Sequence, residues 1–335
     1  MQNFNSTDVA VLVLELIPAA AFGFAGERIA RVAERWPRML RILLPSLCAL
    51  PYAWISYSHH IFSWPAAALY AVVPIAIAWL LGQAASADPE QRGTWQDALV
   101  LLSLGLAVDL RWLEGLWPPG LAGIGKLLLV DAGLYGFFVM RQLRGMGFDF
   151  RLRRNDFWND WKTGLRELAF FAPVVIAFGL ALGFLHPHAH ALRPSMLLTW
   201  LYIFVFIAVP EELFFRAWTQ NLLENRFRFW LKSKNKESKD NELKNNDSKD
   251  KDSKGKESED NARLDRHARI LSLVITSLLF GLSHFNKRST HFNWRYVILA
   301  TIAGIFYGRA WRQNRRVPAS AITHASVDAI WSFWF

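Results

Sequence analysis

Two adjacent carboxylates and an arginine interrupt an otherwise apolar part of the chain. Residues 209–220 read VPEELFFRAWTQ, inside an apolar run that covers residues 196–223. A charge at the centre of a membrane helix costs roughly 2.5 kcal/mol or more, so each such residue needs a partner or a function. On a helix, Glu212 and Arg216 share a face and are expected to pair, whereas Glu211 points about 100° away. The spacing predicts a structural Glu212 and a Glu211 that has no partner on its own helix.

Two later segments supply side chains that could act with Glu211. SLLFGLSHF contains His284, and ITHASVDAIW contains His324 and Asp328, which are four residues apart and share a helix face. A carboxylate in apolar surroundings holds a proton more readily than one in water, which suits a glutamate to general-base chemistry near neutral pH. The residue types therefore predict a hydrolytic site.

Three of these four residues lie at comparable depths in their segments, and His324 is shallower. Counted at 1.5 Å per residue from the arginine that ends each apolar run, the depths are about 25, 22, 12 and 18 Å for Glu211, His284, His324 and Asp328. A lone buried histidine more often makes a hydrogen bond between helices than it acts as a catalyst. Four ionisable residues at compatible depths on three helices make a stronger case for one shared site.

The composition predicts that membrane helices position this site. The chain has 335 residues, of which 53% are hydrophobic, with 16 Trp and 25 Phe. We expect an all-α, polytopic transmembrane helical bundle of about nine to ten spans. The predicted spans cover residues 8–26, 40–58, 61–82, 121–140, 165–185, 196–224, 270–286, 294–310 and 317–333, with a weaker tenth at 98–117. Cys48 is the only cysteine, which excludes an internal disulfide and a zinc site built on several thiolates.

The net charge of +10 has a topological explanation. Arginines cluster between apolar runs, over residues 28–41, 141–154 and 309–316, in alternate loops as the positive-inside rule requires of cytoplasmic connections. We therefore expect the lipid bilayer as a partner and no nucleic acid. The predicted location is the cell (inner) membrane, with the basic loops on the cytoplasmic side.

The chain divides at about residue 160. Residues 1–160 are predicted to form N-terminal transmembrane helices of unknown role, and residues 161–335 the core that carries the candidate site. The boundary is set by RLRRNDFWNDWKTG at 151–164, an amphipathic, Trp-rich stretch that could lie along the membrane interface. Residues 231–261 contain nine Lys, nine Asp or Glu and no aromatic residue, so we predict a disordered cytoplasmic loop there.

Two further patterns have structural interpretations. Gly304 and Gly308 form a small-xxx-small pattern that lets two membrane helices approach closely. The cluster of His186, His188 and His190 could bind a metal, but a polar outer loop is the favoured interpretation.

The three polar motifs together resemble a known family. EELFFR at 211–216 is similar to the EExxxR motif, FGLSH at 280–284 to FxxxH, and HASVD at 324–328 to HxxxN of the CPBP (Abi or type II CAAX prenyl endopeptidase-like) family of intramembrane proteases. The resemblance covers about residues 160–335. It implies an endopeptidase that cleaves a membrane-associated protein or peptide, with water activated by Glu211 and held by His284. It also implies that His324 and residue 328 stabilise the oxyanion, supported by Glu212 and Arg216.

Asp328 departs from the family pattern, which has Asn at this position. An Asn amide can donate a hydrogen bond to an oxyanion, whereas an ionised carboxylate cannot. Three alternatives stay open: Asp328 is protonated, it orients His324, or it makes a metal site with Glu211, His284 and His324. Two histidines with carboxylates would suit zinc with an open position for water. The cofactor is therefore either a divalent metal such as zinc or none.

Two other function classes compete with the protease. A non-catalytic membrane scaffold or bacteriocin-immunity-type protein would keep the polar cluster only to hold helices together. A proton-coupled transporter would use intramembrane ionisable residues such as Glu15, Lys126 and Asp131. The two halves of the chain show no internal repeat and no matching pair of broken helices, which argues against the transporter.

Overall fold

All regular structure in the described part of the chain is helical. The computed structural model describes residues 5–188, 191, 193–245, 253–285 and 292–335, and no strand occurs among them. The predicted all-α class is therefore confirmed. The helices are α1 (Ser6–Ala33), α2 (Arg38–Ser58), α3 (Trp64–Ala87), α4 (Trp95–Asp109), α5 (Ala122–Met140), α6 (Arg154–Ala181), α7 (from Ser195 to Asn245), α8 (Ser253–Leu282), α9 (Trp294–Asn314) and α10 (Val317–Trp334).

Six of the described helices are long and apolar enough to cross a membrane. They are α1, α2, α3, α5, α6 and α7. The weak span predicted at 98–117 corresponds to α4, which has 15 residues and ends at Asp109. At 1.5 Å per residue it reaches about 22 Å, short of a hydrocarbon core of about 30 Å.

The last three predicted spans fall on α8, α9 and α10, which are outside this set of six. Charged residues lower their mean hydropathy, such as Arg269 in α8 and Arg309 in α9. Composition thus supports six crossings among the described residues, where the sequence pattern predicts nine to ten. The three helices nevertheless pack against one another, with α9 joined to α8 through Gly304 and Gly308.

α7 is a continuous helix whose hydrogen-bond register changes around the carboxylates. Its segments are α-helical over Ser195–Ile203, π-helical over Phe204–Ala208, α-helical over Val209–Glu212, π-helical over Leu213–Gln220 and α-helical from Asn221. In the second π segment, the Thr219 hydroxyl donates to the Phe214 carbonyl five residues earlier, at 2.9 Å. Such π segments occur often at functional sites.

The N-terminal helices and the C-terminal helices share one hydrophobic core. Phe137 on α5 stacks on Trp218 on α7 with ring centroids 4.8 Å apart. Buried Leu134 and Trp311 belong to the same cluster. Gly133 allows the contact, because a Cβ there would lie 2.5 Å from the Trp218 ring. Residues before the predicted boundary at 160 thus pack directly against the helix that carries Glu211.

The structure describes parts of two predicted segments. Of the Trp-rich stretch at 151–164, residues from Arg154 onward form the first part of α6, and the helix runs without interruption past residue 160 into a candidate span. In the charged segment at 231–261, α7 continues to Asn245 and α8 begins at Ser253, while residues 246–252 lie outside the described residues, so the disordered loop stays a prediction. Lys and Glu are good helix formers, so extending a neighbouring helix through them costs little.

The two minor patterns have different outcomes. A Cβ at Gly304 would lie 3.1 Å from the Ser277 backbone on α8, so the close-packing interpretation is confirmed. Of the three outer histidines, His190 lies outside the described residues. The backbone N–H of His188 donates to the Trp334 carbonyl at 3.0 Å, which fixes this loop against the end of α10.

Candidate active site

His324 lies at the centre of a cluster of carboxylates. Its Nδ1 is 2.9 Å from Oε1 of Glu212, its Nε2 is 3.5 Å from Oδ2 of Asp328, and the same Nε2 is 3.8 Å from Oε2 of Glu211. The ring is nearly inaccessible, with 3% of the side chain exposed. Because a carboxylate only accepts, Nδ1 must carry the proton that is shared with Glu212.

Glu212 bridges two basic side chains, and this bridge links α7 to α10. The predicted ion pair with Arg216 is present, since Oε2 of Glu212 accepts from Nε of Arg216 at 2.9 Å. Its other oxygen accepts from His324. Both Glu212 and Arg216 are fully inaccessible to solvent. Glu212 therefore offsets a buried positive charge and fixes the orientation of the imidazole.

Arg216 extends this network to α9. Its Nη1 lies 3.4 Å from Oε1 of Gln220, and the Gln220 amide lies 3.4 Å from the Gly308 carbonyl. A Cβ at Gly308 would lie 2.7 Å from Oε1 of Gln220. The glycine therefore brings α9 close enough to contact the polar network.

Glu211 joins the cluster from the other side of His324. The spacing predicts no partner for Glu211 on its own helix, but α10 brings His324 within 3.8 Å of it. That separation is too long for a direct hydrogen bond. About a quarter of the Glu211 side chain, 26%, is exposed. Glu211 is thus the more accessible of the two adjacent glutamates.

His284 follows α8 by two residues and has a fixed tautomer. Its Nδ1 lies 2.8 Å from the Phe280 carbonyl, to which it must donate. The Ser283 hydroxyl donates to the same carbonyl at 2.8 Å. In the neutral ring, Nε2 is then the acceptor. His284 is 5% exposed and presents this nitrogen within the bundle.

Aromatic rings enclose the two histidines. Tyr307 stacks on His324 with ring centroids 4.5 Å apart and an interplanar angle of 13°. The Phe280 ring contacts both histidines, at 4.8 Å to His284 and 5.6 Å to His324. Tyr296 packs edge-on against His284 at 5.0 Å. These rings exclude bulk water and hold the imidazoles in place.

Sequence reasoning did not identify Tyr307 or Tyr296 as part of the site. Tyr307 lies in GIFYG, where only the glycine spacing was interpreted. A tyrosine on the small-residue face of a membrane helix was an available signal, since its hydroxyl and ring both need partners there.

Two cavities meet the cluster. The first, here the histidine cavity, measures about 70 Å³ and is lined by His284, His324 and Asp328 together with Phe280, Tyr296 and Tyr307. The second, here the lateral cavity, measures about 370 Å³, lies between α4, α5 and α7, and includes Glu211 in its lining. Glu211 and Asp328 therefore both lie next to His324, His284 shares a cavity with His324 and Asp328, and Glu211 faces a different space.

The arrangement does not fit a metal ion. Within the described part of the chain, no group of three or more His, Cys, Asp or Glu side chains has a geometry that could hold one. The zinc alternative therefore gains no support from the side-chain geometry, and no step is assigned to a metal.

Fold and site together define a helical membrane protein with a buried acid, histidine and arginine cluster. Residues 260–330 match the family described as Type II CAAX prenyl endopeptidase Rce1-like. The predicted resemblance is thereby confirmed over a range that contains His284, His324 and Asp328, and it supports a membrane protease. Comparisons with curated proteins and with solved structures each found no match.

Proposed function

We propose that this chain is an intramembrane endopeptidase that hydrolyses a peptide bond in a membrane-associated protein or peptide. The observation that carries the proposal is the position of His324, whose Nε2 faces Glu211 at 3.8 Å while Nδ1 is held by Glu212 at 2.9 Å. One side of the imidazole is thus fixed by structure. The other side faces the carboxylate of Glu211, whose side chain is 26% exposed.

In this mechanism Glu211 is the general base. It removes a proton from the water, the resulting hydroxide attacks the substrate carbonyl carbon, and a tetrahedral oxyanion forms. Glu211 then gives its proton to the amide nitrogen as the C–N bond breaks, which leaves a carboxyl terminus and an amine. A positioned general base contributes about 10² to 10⁴ in rate.

His324 stabilises the oxyanion. Because Nδ1 already donates to Glu212, a second proton on Nε2 gives the ring a donor on its catalytic side. Asp328 and Glu211 both lie next to that nitrogen, and their negative charges favour the doubly protonated ring. One donor to an oxyanion contributes about 10² to 10³ in rate.

His284 and Asp328 support these two steps. With Nδ1 bound to the Phe280 carbonyl, Nε2 of His284 accepts a hydrogen bond and can orient the water. Asp328 is a positioning residue, since Oδ2 lies 3.5 Å from Nε2 of His324. Of the three alternatives for Asp328, this geometry favours the one in which it orients the histidine.

The substrate and the sidedness belong to the same proposal. A site to which the candidate membrane helices α5, α6 and α7 contribute suits a membrane-bound polypeptide. Arginine-rich loops over residues 28–41, 141–154 and 309–316 favour a cytoplasmic side for those loops, in the cell (inner) membrane.

The test is a comparison of new protein termini in membranes. Cells express wild type, Glu211→Gln or Glu15→Gln at equal abundance, and membrane-protein termini are quantified by mass spectrometry. Glu15→Gln is the matched control, because it makes the same chemical change at a buried carboxyl on α1, outside the cluster. We expect termini that appear with wild type and Glu15→Gln but not with Glu211→Gln.

The scaffold alternative predicts a different result. The fully buried Glu212–Arg216 pair and its bond to His324 could serve only to hold α7 and α10 together. In that case all three proteins accumulate and no termini depend on Glu211.

A further inference from the structure

Glu211 faces a cavity that the other predicted catalytic residues do not line. His284, His324 and Asp328 line the histidine cavity, whereas Glu211 lines the lateral cavity. Glu211 lies 3.8 Å from His324, so the wall of the lateral cavity reaches the histidine cluster at this residue. A scissile carbonyl can therefore approach from the lateral side.

The two cavities differ in volume, and the difference indicates which of them can hold a peptide. The histidine cavity, at about 70 Å³, holds a few water molecules. The lateral cavity, at about 370 Å³, falls within the range of roughly 300 to 1,000 Å³ that is usual for ligand pockets. Of these two, only the lateral cavity can take several residues of a polypeptide.

The lining is mostly apolar, with four charged side chains among it. α4 and α5 contribute Leu104, Val108, Leu129 and Val130, and α7 contributes Phe206, Ile207, Phe214 and Phe215. The charged residues of the lining are Asp109, Arg111, Lys126 and Glu211. Lys126 forms an ion pair with Glu114 at 3.0 Å, and its side chain is 43% exposed. The apolar walls suit apolar side chains, and the charged groups suit the polar backbone of a peptide.

We propose that the lateral cavity is the substrate-binding site, that it takes a short, predominantly apolar peptide segment, and that α4 and α5 form the wall opposite Glu211. This inference rests on the proposed function and extends it. It gives the N-terminal helices a role in peptide recognition, because one wall of the cavity comes from residues before position 160.

Two glycines provide a matched pair for the test. Gly123, on α5, lines the lateral cavity, and a Cβ there would meet no heavy atom within 4 Å. Gly115 also has open space around its Cβ position but does not line either cavity. A tryptophan at position 123 would therefore occupy the cavity without a clash at the backbone. The same residue at 115 controls for the added bulk.

The experiment compares wild type, Gly123→Trp, Gly115→Trp and Glu211→Gln at equal abundance, with termini counted as above. We expect Gly123→Trp to reduce the Glu211-dependent termini at least tenfold and Gly115→Trp to leave them at the wild-type level. Thermal unfolding in detergent checks that both tryptophan variants fold. Wild-type levels of cleavage with Gly123→Trp would overturn the cavity assignment while leaving the protease intact.

A second readout separates failure of the cavity from failure of the protease. A benzophenone amino acid is introduced at position 123 or 115 in the Glu211→Gln protein, and membranes are irradiated. A membrane polypeptide cross-linked from 123 and not from 115 supports the binding site even if wild type generates no new termini. No cross-link specific to 123 overturns it.

Discussion

The two adjacent glutamates differ in what their replacement by glutamine should cost in stability. Glu212 is fully inaccessible and accepts from Arg216 and His324, both at 2.9 Å. Breaking a buried ion pair by removing one partner costs about 3 to 5 kcal/mol, because the remaining charge stays buried. Glutamine keeps one oxygen that can accept from Arg216, so we expect Glu212→Gln at the low end, about 3 kcal/mol.

The same change one residue earlier should cost much less. The Glu211 side chain is 26% exposed, and its separation from His324 is 3.8 Å. We expect Glu211→Gln to change the free energy of unfolding by less than about 1 kcal/mol, as is usual away from buried networks. A difference of about 2 kcal/mol between the variants corresponds to roughly a thirtyfold change in the folded-to-unfolded ratio.

The assay is SDS-induced unfolding of the purified protein in mixed micelles, followed by tryptophan fluorescence. The double variant Glu212→Gln/Arg216→Gln completes a thermodynamic cycle. Removing the guanidinium should recover about 1 to 3 kcal/mol relative to the sum of the single changes. Equal unfolding free energies for Glu211→Gln and Glu212→Gln would refute the assignment of Glu212 as the buried structural partner.

Three further predictions concern the site and its supports. The cleavage rate of Asp328→Asn should stay within about tenfold of wild type, because the amide oxygen can still accept from His324. Asp328→Ala should lower the cleavage rate by about 10². Equal losses in rate for the two variants would mean that the negative charge is essential. Gly308→Ala should lower the unfolding free energy by about 1 to 3 kcal/mol in the SDS assay, because the added methyl group overpacks the contact between α9 and Gln220. Gly123→Ala is the control and should not lower it. Equal effects of the two changes would contradict the close approach of α9. Arg141 is 1% exposed and pairs with Asp97 at 2.8 Å, so Arg141→Met should destabilise the protein by about 3 kcal/mol or more, and an unchanged midpoint would contradict that pairing.

Local geometry explains which contacts the sequence could predict. The Glu212–Arg216 pair follows from four-residue spacing on one helix, which holds despite the π segment that begins at Leu213. The spacing of His324 and Asp328 likewise predicts neighbours, and Asp328 lies 3.5 Å from the ring.

Spacing along one helix does not predict contacts between different helices. Depth counting places Glu211 and His324 about 13 Å apart along the membrane normal, yet their side chains approach within 3.8 Å. Counting from loop arginines ignores tilt and the different start of each helix. The bond from His324 to Glu212 and the ring of Tyr307 also depend on how α7, α9 and α10 pack, which one sequence does not specify.

The number of membrane-spanning helices could also be predicted only in part from the sequence. Long apolar runs predicted α1, α2, α3, α5, α6 and α7 as membrane helices. The runs on α8, α9 and α10 were also predicted to span, but these helices carry charged or polar residues and are outside the six, and the weaker run at 98–117 falls on α4, which ends at Asp109. Such helices are positioned by their neighbours as well as by their own hydropathy.

The central claim is that Glu211 activates the water that cleaves a peptide bond. The direct test is the initial cleavage rate of a peptide that spans a mapped terminus, measured with purified protein in liposomes for wild type, Glu211→Gln and Glu15→Gln. We expect a loss of about 10² to 10⁴ in rate for Glu211→Gln and a wild-type rate for Glu15→Gln. A Glu211→Gln protein that cleaves within threefold of wild type would contradict it.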